Sequence, residues 1–473
     1  MEKTMNQKPN FFKRLLKPDA YVLLFCILII CAIATYILPA GEFKHVPQGD
    51  LTVTVPGSYH AVASNPTGFM DFFMAIQTGM VKAAPLIFLI LFTGGALKVL
   101  EKTGAINAAI AKTVKRFQKK EILLIIVIGV LFSVLGTTGV VVNSIIAFVP
   151  LGIIIARAMK LDAIFGVSLI YLGAYAGFNA SMITPSTLGL SQKIAELPIL
   201  SGIGYRAVIY TAFVIATLAY IYIYMLKLRK NPDNSLLGND KFPLAIGDAE
   251  EWDENQAFTT RQKWMLTFAG LTLLVFVICT IIYKLDVDAM TAMFVFMAVG
   301  SGLIAGMKAN DISKTFLKGC QRLVAGALIV GMARAVVIIL GDGKLIDTIV
   351  NVLAHLLQSL PPVFGAVGMF LGSAGIHFLI SSGSGESAMI VPILVPLADL
   401  MHITRQVAVE AVILGEGVVN CINPTSGVLM GVLAASGIAY GKWVRFMLPL
   451  VGIWIALSII FIVIGVLIGW GPA

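Results

Sequence analysis

Two stretches of small polar residues interrupt long apolar runs. Gly136-Thr137-Thr138-Gly139 lies near the centre of Ile122–Ala156, and Ser381-Ser382-Gly383-Ser384-Gly385 lies near the centre of Pro361–Ala398. One bilayer needs about 20 helical residues, so each run is too long for one span and too short for two spans with a turn. Glycine, Ser and Thr are also poor helix formers. We therefore predict two helical hairpins, 122–156 and 361–398, each entering and leaving on one side of a membrane.

The two runs belong to an internal repeat. An offset of 246 residues superposes Thr137–Leu151 on Gly383–Leu397 without a gap. Each hairpin is followed by an apolar stretch that polar residues and a proline interrupt, and we predict broken helices over 163–192 and 406–437. The strings Thr103-Gly104-Ala105-Ile106 and Asp342-Gly343-Lys344-Leu345-Ile346 precede the hairpins.

The composition indicates a membrane protein. The chain is 58% hydrophobic and 12% charged, whereas roughly 25% of a soluble domain is charged. A soluble enzyme, a disordered chain and a fibrous protein are therefore excluded. The net charge of +9 does not indicate nucleic-acid binding, because Lys and Arg lie at the ends of apolar runs. The five cysteines show no C-x-x-C spacing, which argues against a disulfide framework or a zinc site.

The basic residues also predict an orientation. With a cytoplasmic N-terminus, an external C-terminus and both hairpins re-entrant, most of the 34 Lys and Arg lie in the cytoplasm. We expect an all-α polytopic protein of a bacterial inner membrane, with nine spans and two inverted repeats. The predicted segments are an N-terminal tail with the first transmembrane helix and an external loop (1–71), repeat one (72–226), a cytoplasmic linker without its own fold (227–263), two linking transmembrane helices with a cytoplasmic segment (264–322) and repeat two (323–473), which ends in the helix 446–470.

Inverted repeats with broken helices are typical of secondary transporters, whose substrates bind where those helices are interrupted. Pro185 and Pro424 remove backbone donors, and such a break is tolerated in a membrane only where it lines a cavity. Half-helix N-termini suit a carboxylate, and freed oxygens suit a small cation. The residues that we predict to bind substrate or cation are Thr137, Thr138, Asn143, Asn179, Ser181, Thr184, Ser382, Ser384, Glu386, Glu416, Asn420, Asn423, Thr425 and Ser426.

We expect no cofactor, and a coupling ion that is either Na⁺ or H⁺. Oxygens suitable for Na⁺ occur on Thr138, Asn179, Ser384 and Asn423. The same polar residues also suit a structural role as helix caps or interhelical hydrogen bonds. Glu386 has a structural alternative too, as an acceptor for the backbone amides of its own hairpin tip.

Three further features leave alternatives open. Arg334 is either a counter-charge for Glu416 or a group that holds a substrate carboxylate. His377 is either a packing residue or part of a proton path. Lys112–Lys120 is most simply a surface helix near anionic lipid.

Several strings resemble the DcuC-type family of anaerobic four-carbon-dicarboxylate carriers, and in particular its YfcC branch, which includes arginine–ornithine exchangers. They are Ser381-Ser-Gly-Ser-Gly385, Val395-Pro-Leu-Ala-Asp399, Thr404-Arg-Gln-Val-Ala408, Asn423-Pro-Thr-Ser-Gly427, Ala333-Arg334 and Tyr171-Leu-Gly-Ala-Tyr175. The resemblance covers nearly the whole chain except the linker. It implies a member of the ion-transporter superfamily that forms homodimers, with a scaffold domain and an elevator-like transport domain that carries both hairpins.

The resemblance leaves the substrate open between a dicarboxylate and a basic amino acid. Glu386 and Glu416 have no acidic counterparts in the first half, where Val140 aligns with Glu386. Acids at membrane depth are costly and by default functional. They repel a dianion and attract a cationic side chain, which favours arginine or ornithine over a dicarboxylate.

Two other classes of function fit the sequence less well. An intramembrane aspartyl hydrolase needs two facing aspartates, and neither predicted buried acid is an aspartate. A passive channel stays open, because only transport measurements separate it from a carrier. No Walker A, dinucleotide-binding or H-E-x-x-H string is present, so we expect neither an ATP-driven pump nor a metalloprotease.

Overall fold

The computed structural model describes residues 20–48, 51–103, 121–139, 141–244, 259–283 and 287–471. Six helices in this part of the chain are long and apolar enough to cross a bilayer, and further apolar helices are shorter. The prediction of an all-α polytopic membrane protein is confirmed. The helices are α1 (Ala20–Ile37), α2 (Phe69–Lys82), α3 (Ala84–Lys102), α4 (Glu121–Thr137), α5 (Val149–Ala158), α6 (Ala163–Asn179), α7 (Leu190–Ile194), α8 (Ile203–Lys230), α9 (Thr260–Tyr283), α10 (Val287–Ile304), α11 (Ala309–Asp342), α12 (Ile346–Leu357), α13 (Pro362–His377), α14 (Gly383–Leu400), α15 (Arg405–Asn420), α16 (Gly427–Ser436) and α17 (Tyr440–Leu467).

Some sequence predictions lie outside the described residues. They concern the N-terminal tail over 1–19, the string Gly104-Ala105-Ile106, the basic stretch Lys112–Lys120, Val140 and residues 245–258 of the linker.

Four short strands form between α1 and α2, in the loop that the sequence left without structure. β1 (Gly41–Glu42) pairs with β4 (His60–Ala61), and β2 (His45–Gln48) pairs with β3 (Leu51–Thr54), both antiparallel. The Phe43 amide donates to Asp347 Oδ2 at 2.9 Å, which fixes the loop to the start of α12.

A first group of helices forms around α11, which packs against α1, α2 and α3, while α10 packs against α3 and α9. A Cβ on Gly94 would lie 2.8 Å from the Gly319 carbonyl, and one on Gly79 would lie 2.4 Å from the Gly331 carbonyl. Gly79 contacts Gly331, and the later residue Gly94 contacts the earlier residue Gly319. The chain direction of α11 is therefore opposite to that of α2 and α3. Only glycine permits backbones to approach this closely.

Two predicted spans differ from the observed helices. The predicted span 72–100 is divided at Ala83 into α2 and α3, because Pro85 at the start of α3 cannot donate a backbone hydrogen bond. The predicted span Leu323–Leu340 is the second part of the 34-residue α11, which begins at Ala309. Lys and Arg are good helix formers, so the helix continues through charged residues that hydropathy assigns to a loop.

A second group contains two similar series of elements. Each series has a first arm (α4; α13), a second arm (α5; α14), a broken helix (α6 with α7; α15 with α16) and a long final helix (α8; α17). In both series the first arm packs on the first part of the broken helix. The breaks, 180–184 and 421–426, are called here the unwound segments. The two groups meet mainly where α16 packs on α11.

Part of the predicted linker is fixed to the second group. Ser235 Oγ donates to Asp162 Oδ2 at 2.7 Å, and the Ala163 amide donates to the Lys241 carbonyl at 2.9 Å. The side chain of Leu237 is buried. The described part of the linker is therefore held against the second group at these residues.

Candidate functional site

A cavity of about 390 Å³ lies where the two groups of helices meet. The N-termini of α14 and α16 reach it through Gly383 and Gly427, and Gly139 reaches it from the first hairpin. Lys82 at the end of α2 and Arg334 on α11 line it from the first group. Its volume is within the range of small-molecule sites.

Eight of the residues predicted from sequence line this cavity. They come from the first hairpin, the tip of the second hairpin, α15 with the unwound segment that follows it, and α11. The eight residues are Asn143, Arg334, Ser382, Ser384, Glu416, Asn420, Thr425 and Ser426.

The remaining predicted residues do not line the cavity, and most of them make hydrogen bonds within the protein. They are Thr137, Thr138, Asn179, Ser181, Thr184, Glu386 and Asn423. All except Thr138 are buried, and the Thr138 hydroxyl donates to the Leu135 carbonyl at 2.7 Å.

In both halves, side chains of the unwound segment donate hydrogen bonds to carbonyls at the end of the first arm. Thr184 Oγ1 donates to the carbonyl of Thr137, the last residue of α4, at 2.8 Å. Asn423 Nδ2 donates to the carbonyl of His377, the last residue of α13, at 2.7 Å, and Thr425 Oγ1 donates to the Phe378 carbonyl at 2.9 Å. The last carbonyls of a helix have no partner within the helix. These side chains therefore satisfy carbonyls at the ends of both first arms.

The oxygens expected to hold Na⁺ lie in different surroundings, and the Na⁺ site stays a prediction. The Asn423 carboxamide oxygen already accepts from the Thr425 amide at 2.9 Å and from its hydroxyl at 2.7 Å. Asn179 is buried against Gly417, where a Cβ would come within 2.7 Å of it, and Ser384 lies in the cavity. A hard cation needs several oxygens directed at one point.

Glu386 lies behind the cavity and not in its lining. Its carboxylate accepts from Ser373 Oγ at 2.5 Å and lies 2.6 Å from His377 Nδ1, and its side chain is fully buried. The structural alternative, in which Glu386 accepts from the backbone amides of its own hairpin tip, is not what the structure shows, because both side-chain partners lie on α13.

Glu416 lies against the start of α14. An added Cβ on Gly383 would be 2.1 Å from Glu416 Oε1 and 2.7 Å from Oε2. The carboxylate is therefore at a helix N-terminus, where the helix dipole stabilises negative charge. The residue is 3% exposed and lines the cavity.

The two cations of the cavity wall have no acidic partner in the described part of the chain. No carboxylate oxygen lies within 4.0 Å of Lys82 or Arg334 there, and both side chains are exposed. The alternative in which Arg334 is a counter-charge paired with Glu416 is thus not found among the described residues. Lys82 also lines a second cavity of about 470 Å³, together with Asp71, Asp342 and other residues.

The sequence did not identify all of the lining. Lys82, Tyr175, Phe178, Ser186, Thr187, His377 and Ser381 also contact the cavity. Lys82 carried a usable signal, because a lone charge within an apolar run is by default functional. Tyr175 and Phe178 carried none, since aromatic residues in apolar helices most often pack in the core.

A family profile described as "DcuC: C4-dicarboxylate anaerobic carrier" matches residues 18–467. The chain belongs to this family. It is 28% identical to an Escherichia coli protein named "Putative basic amino acid antiporter YfcC", over 99% of this chain and 100% of that protein. It is 25% identical to an uncharacterized Haemophilus influenzae protein, over 95% and 97% of the two chains.

Solved transporters of low similarity also align along the chain. The Alcanivorax borkumensis YdaH transporter aligns with 96% of this chain and 99% of its own, at 17% identity and a TM-score of 0.44. Neisseria gonorrhoeae MtrF, described as an antimetabolite efflux pump, aligns with 95% and 96%, at 17% identity and a TM-score of 0.41. Family membership makes this member of the DcuC family a multi-pass membrane transporter, as the sequence predicted.

Proposed function

We propose that this protein is a secondary active transporter that exchanges basic amino acids such as arginine and ornithine. The observation that carries the proposal is the arrangement of charge in the cavity. Lys82 and Arg334 lie on one side, on helices of the first group, and Glu416 lies on α15 in the second group. A basic amino acid has a carboxylate for the two cations and a cationic side chain for the acid.

The name of the Escherichia coli relative supports the same substrate class. A four-carbon dicarboxylate is the second candidate, and a specific feature favours it. Two helix N-termini and two cations reach the cavity, and all of them attract carboxylates. Glu416 then remains as an uncompensated repulsion, which is why we prefer the basic amino acid.

An elevator-type movement is part of the proposal. The substrate cavity lies between the two groups of helices, so sliding the second group along α11 would move Glu416 and the hairpin tips past Lys82 and Arg334. At their junction a Cβ on Gly326 would lie 1.8 Å from that of Ala434. Small residues of this kind allow the backbones of two helices to approach closely. We further propose a homodimer in a bacterial inner membrane, with a cytoplasmic N-terminus, an external C-terminus and re-entrant hairpins.

Exchange in proteoliposomes tests the function. Vesicles that contain the purified protein and are loaded with ornithine should accumulate labelled arginine, and loading with succinate should not stimulate this uptake. If the vesicles do not take up arginine, but internal succinate stimulates the uptake of labelled succinate, the dicarboxylate alternative replaces our proposal. Uptake without saturation or trans-stimulation would indicate a channel.

The Glu416→Gln variant tests the charge arrangement. We expect arginine affinity to fall more than about tenfold, or roughly 1.4 kcal/mol, because the cationic side chain loses its partner. Glu196→Gln is the matched control, since Glu196 is an exposed acid whose surface ion pair with Arg405 is worth little. Unchanged affinity in Glu416→Gln would remove this residue from the site.

A further inference from the structure

A buried histidine–glutamate pair lies directly behind the cavity and has no part in the function proposed above. His377 Nδ1 is 2.6 Å from Glu386 Oε2, and the two side chains are 1% and 0% exposed. The second carboxylate oxygen, Oε1, accepts from Ser373 Oγ at 2.5 Å. Glu386 therefore has a partner on each oxygen, and the position of the histidine ring is fixed by its Nδ1.

The other ring nitrogen of His377 is unsatisfied. Nε2 is buried and has no hydrogen-bond partner among the described residues, although His377 contributes to the lining of the cavity. When Nδ1–H donates to Glu386, Nε2 of a neutral ring is a bare acceptor. Its lone pair is therefore not used by the protein and is available to bind a proton that enters from the cavity.

The charges around the ring come from several elements. Glu386 on α14 and Glu416 on α15 act on it electrostatically, and Asn420 on α15 lies near the ring without forming a hydrogen bond to Nε2. Two other helices, α12 and α17, pack on α13. Neither contributes a charged group to the ring in the described structure. Lys82 and Arg334 complete the set across the cavity.

We propose that His377 and Glu386 form a proton-binding site, and that its proton competes with the cationic side chain of the substrate at Glu416. This inference rests on the proposed function and adds the coupling ion to it. With a neutral ring, the charges of Lys82 and Arg334 balance those of Glu386 and Glu416. A proton on Nε2 or a bound monocation each adds one positive charge next to the buried His377 and Glu386 side chains, and both together add two.

The two ligands should therefore alternate. When a cationic amino acid binds, the Nε2–H bond breaks and the proton leaves to water through the cavity. When the amino acid leaves, a proton from water returns to the Nε2 lone pair. The two states carry the same charge, which suits an exchanger that returns across the membrane either with substrate or with a proton.

Binding of labelled arginine to the purified full-length protein between pH 5.5 and 8.5 tests the competition. Where the site is protonated, we expect the affinity to fall about tenfold for each unit of decreasing pH, as one competing proton requires. In weakly buffered solution, arginine should release one proton per bound molecule. Citrulline, which has nearly the same shape but no side-chain charge, should release none. An affinity for arginine that does not depend on pH would overturn the inference.

Two variants place the proton. His377→Gln should abolish both the pH dependence and the proton release, and His355→Gln, which changes an exposed histidine on α12, should change neither. Glu386→Gln provides a second route if His377→Gln does not fold, and it should also reduce proton release. Proton release that persists in both variants would contradict the assignment.

The outcomes separate this inference from the proposed function. If no basic amino acid binds at any pH and succinate does, the proposed substrate is wrong. The proton site then predicts proton uptake with succinate, because a dianion favours the protonated ring, and this uptake should disappear in His377→Gln. If the substrate binds in Na⁺ buffer but not in K⁺ buffer, and no proton is released or taken up, the proton site itself is wrong.

Discussion

The contact between Gly383 and Glu416 allows binding to be perturbed without removing a charged group. An alanine Cβ at position 383 would lie 2.1 Å from Glu416 Oε1, whereas Cβ atoms in proteins essentially never come closer than 3.0 Å. The carboxylate must therefore move by about 1 Å in Gly383→Ala. Because Oε1 is the far end of a flexible side chain, the movement costs little folding energy.

The expected effects on stability and binding have opposite signs. Gly383 is the first residue of α14, and replacing a helical glycine by alanine stabilises a helix by up to about 1 kcal/mol. Binding should nevertheless weaken more than about tenfold, or roughly 1.4 kcal/mol, since the displaced carboxylate no longer meets the cationic side chain. We therefore predict a protein that melts at or above the wild-type temperature and binds arginine poorly.

Equilibrium binding of labelled arginine and thermal unfolding, both on purified protein, measure these two quantities. Gly375→Ala is the matched control, because an added Cβ at this position on α13 has no atom within 4 Å. It should leave binding unchanged. In the Glu416→Ala background, Gly383→Ala should cost no further affinity, because its whole effect acts through that carboxylate.

Three results would refute the reasoning. Wild-type affinity in Gly383→Ala would show that the carboxylate position does not matter for binding. A large loss of stability in Gly383→Ala would show that the contact is structural. An additive loss in the double variant would show that residue 383 affects the ligand directly.

Three other predictions concern the framework around the site. Asn423→Ala should lower the free energy of unfolding by about 1–3 kcal/mol, because a buried carbonyl of the first arm loses its donor, and chemical denaturation measures this. Arg206→Leu should cost about 3–5 kcal/mol by leaving the buried carboxylate of Glu410 unpaired, and Arg206→Leu/Glu410→Leu should recover part of the loss in the same assay. The exposed hydrogen-bonded ion pair with Lys344 lowers the pKa of Glu42. The contribution of this pair to stability is therefore present above the ordinary pKa of a glutamate and is lost as the pH falls through the lowered value. Both groups are largely exposed, so Lys344→Met should change the melting temperature at neutral pH only slightly and should remove the corresponding dependence at acidic pH.

Much of the fold was predictable because its signals are local. Glycine and proline inside apolar runs mark helix breaks wherever they occur, and the same order of breaks in both halves predicted the paired arms and unwound segments. The division at Ala83 was less visible, because a proline at the start of a helix interrupts a span without changing its hydropathy. The short strands between α1 and α2 depend on contacts with Asp347 and Thr348, which are distant in sequence.

The site was predicted to the level of segments but not of side-chain directions. Ser384 and Glu386 are two residues apart on one helix, yet the first lines the cavity and the second points back to α13. Their directions depend on the rotation of α14 against its neighbours, which no local pattern specifies. Lys82 was not predicted as a site residue for a related reason. Its position beside the hairpins depends on how α2 packs against α11.

The two halves share the hydrogen bond between unwound segment and first arm, but they differ in the side chains at matching positions. Thr137 and His377 are both the last residue of a first arm, and each offers its carbonyl to an unwound segment. Gly177 and Glu416 both precede the proline of their broken helix by eight residues, but Gly177 packs against the Ser133 carbonyl, where a Cβ would lie 1.9 Å away. The first half therefore has no room for an acid at that position. The repeat supplies two similar breaks, and the second half adds the titratable groups on which the proposed recognition of a cationic substrate rests.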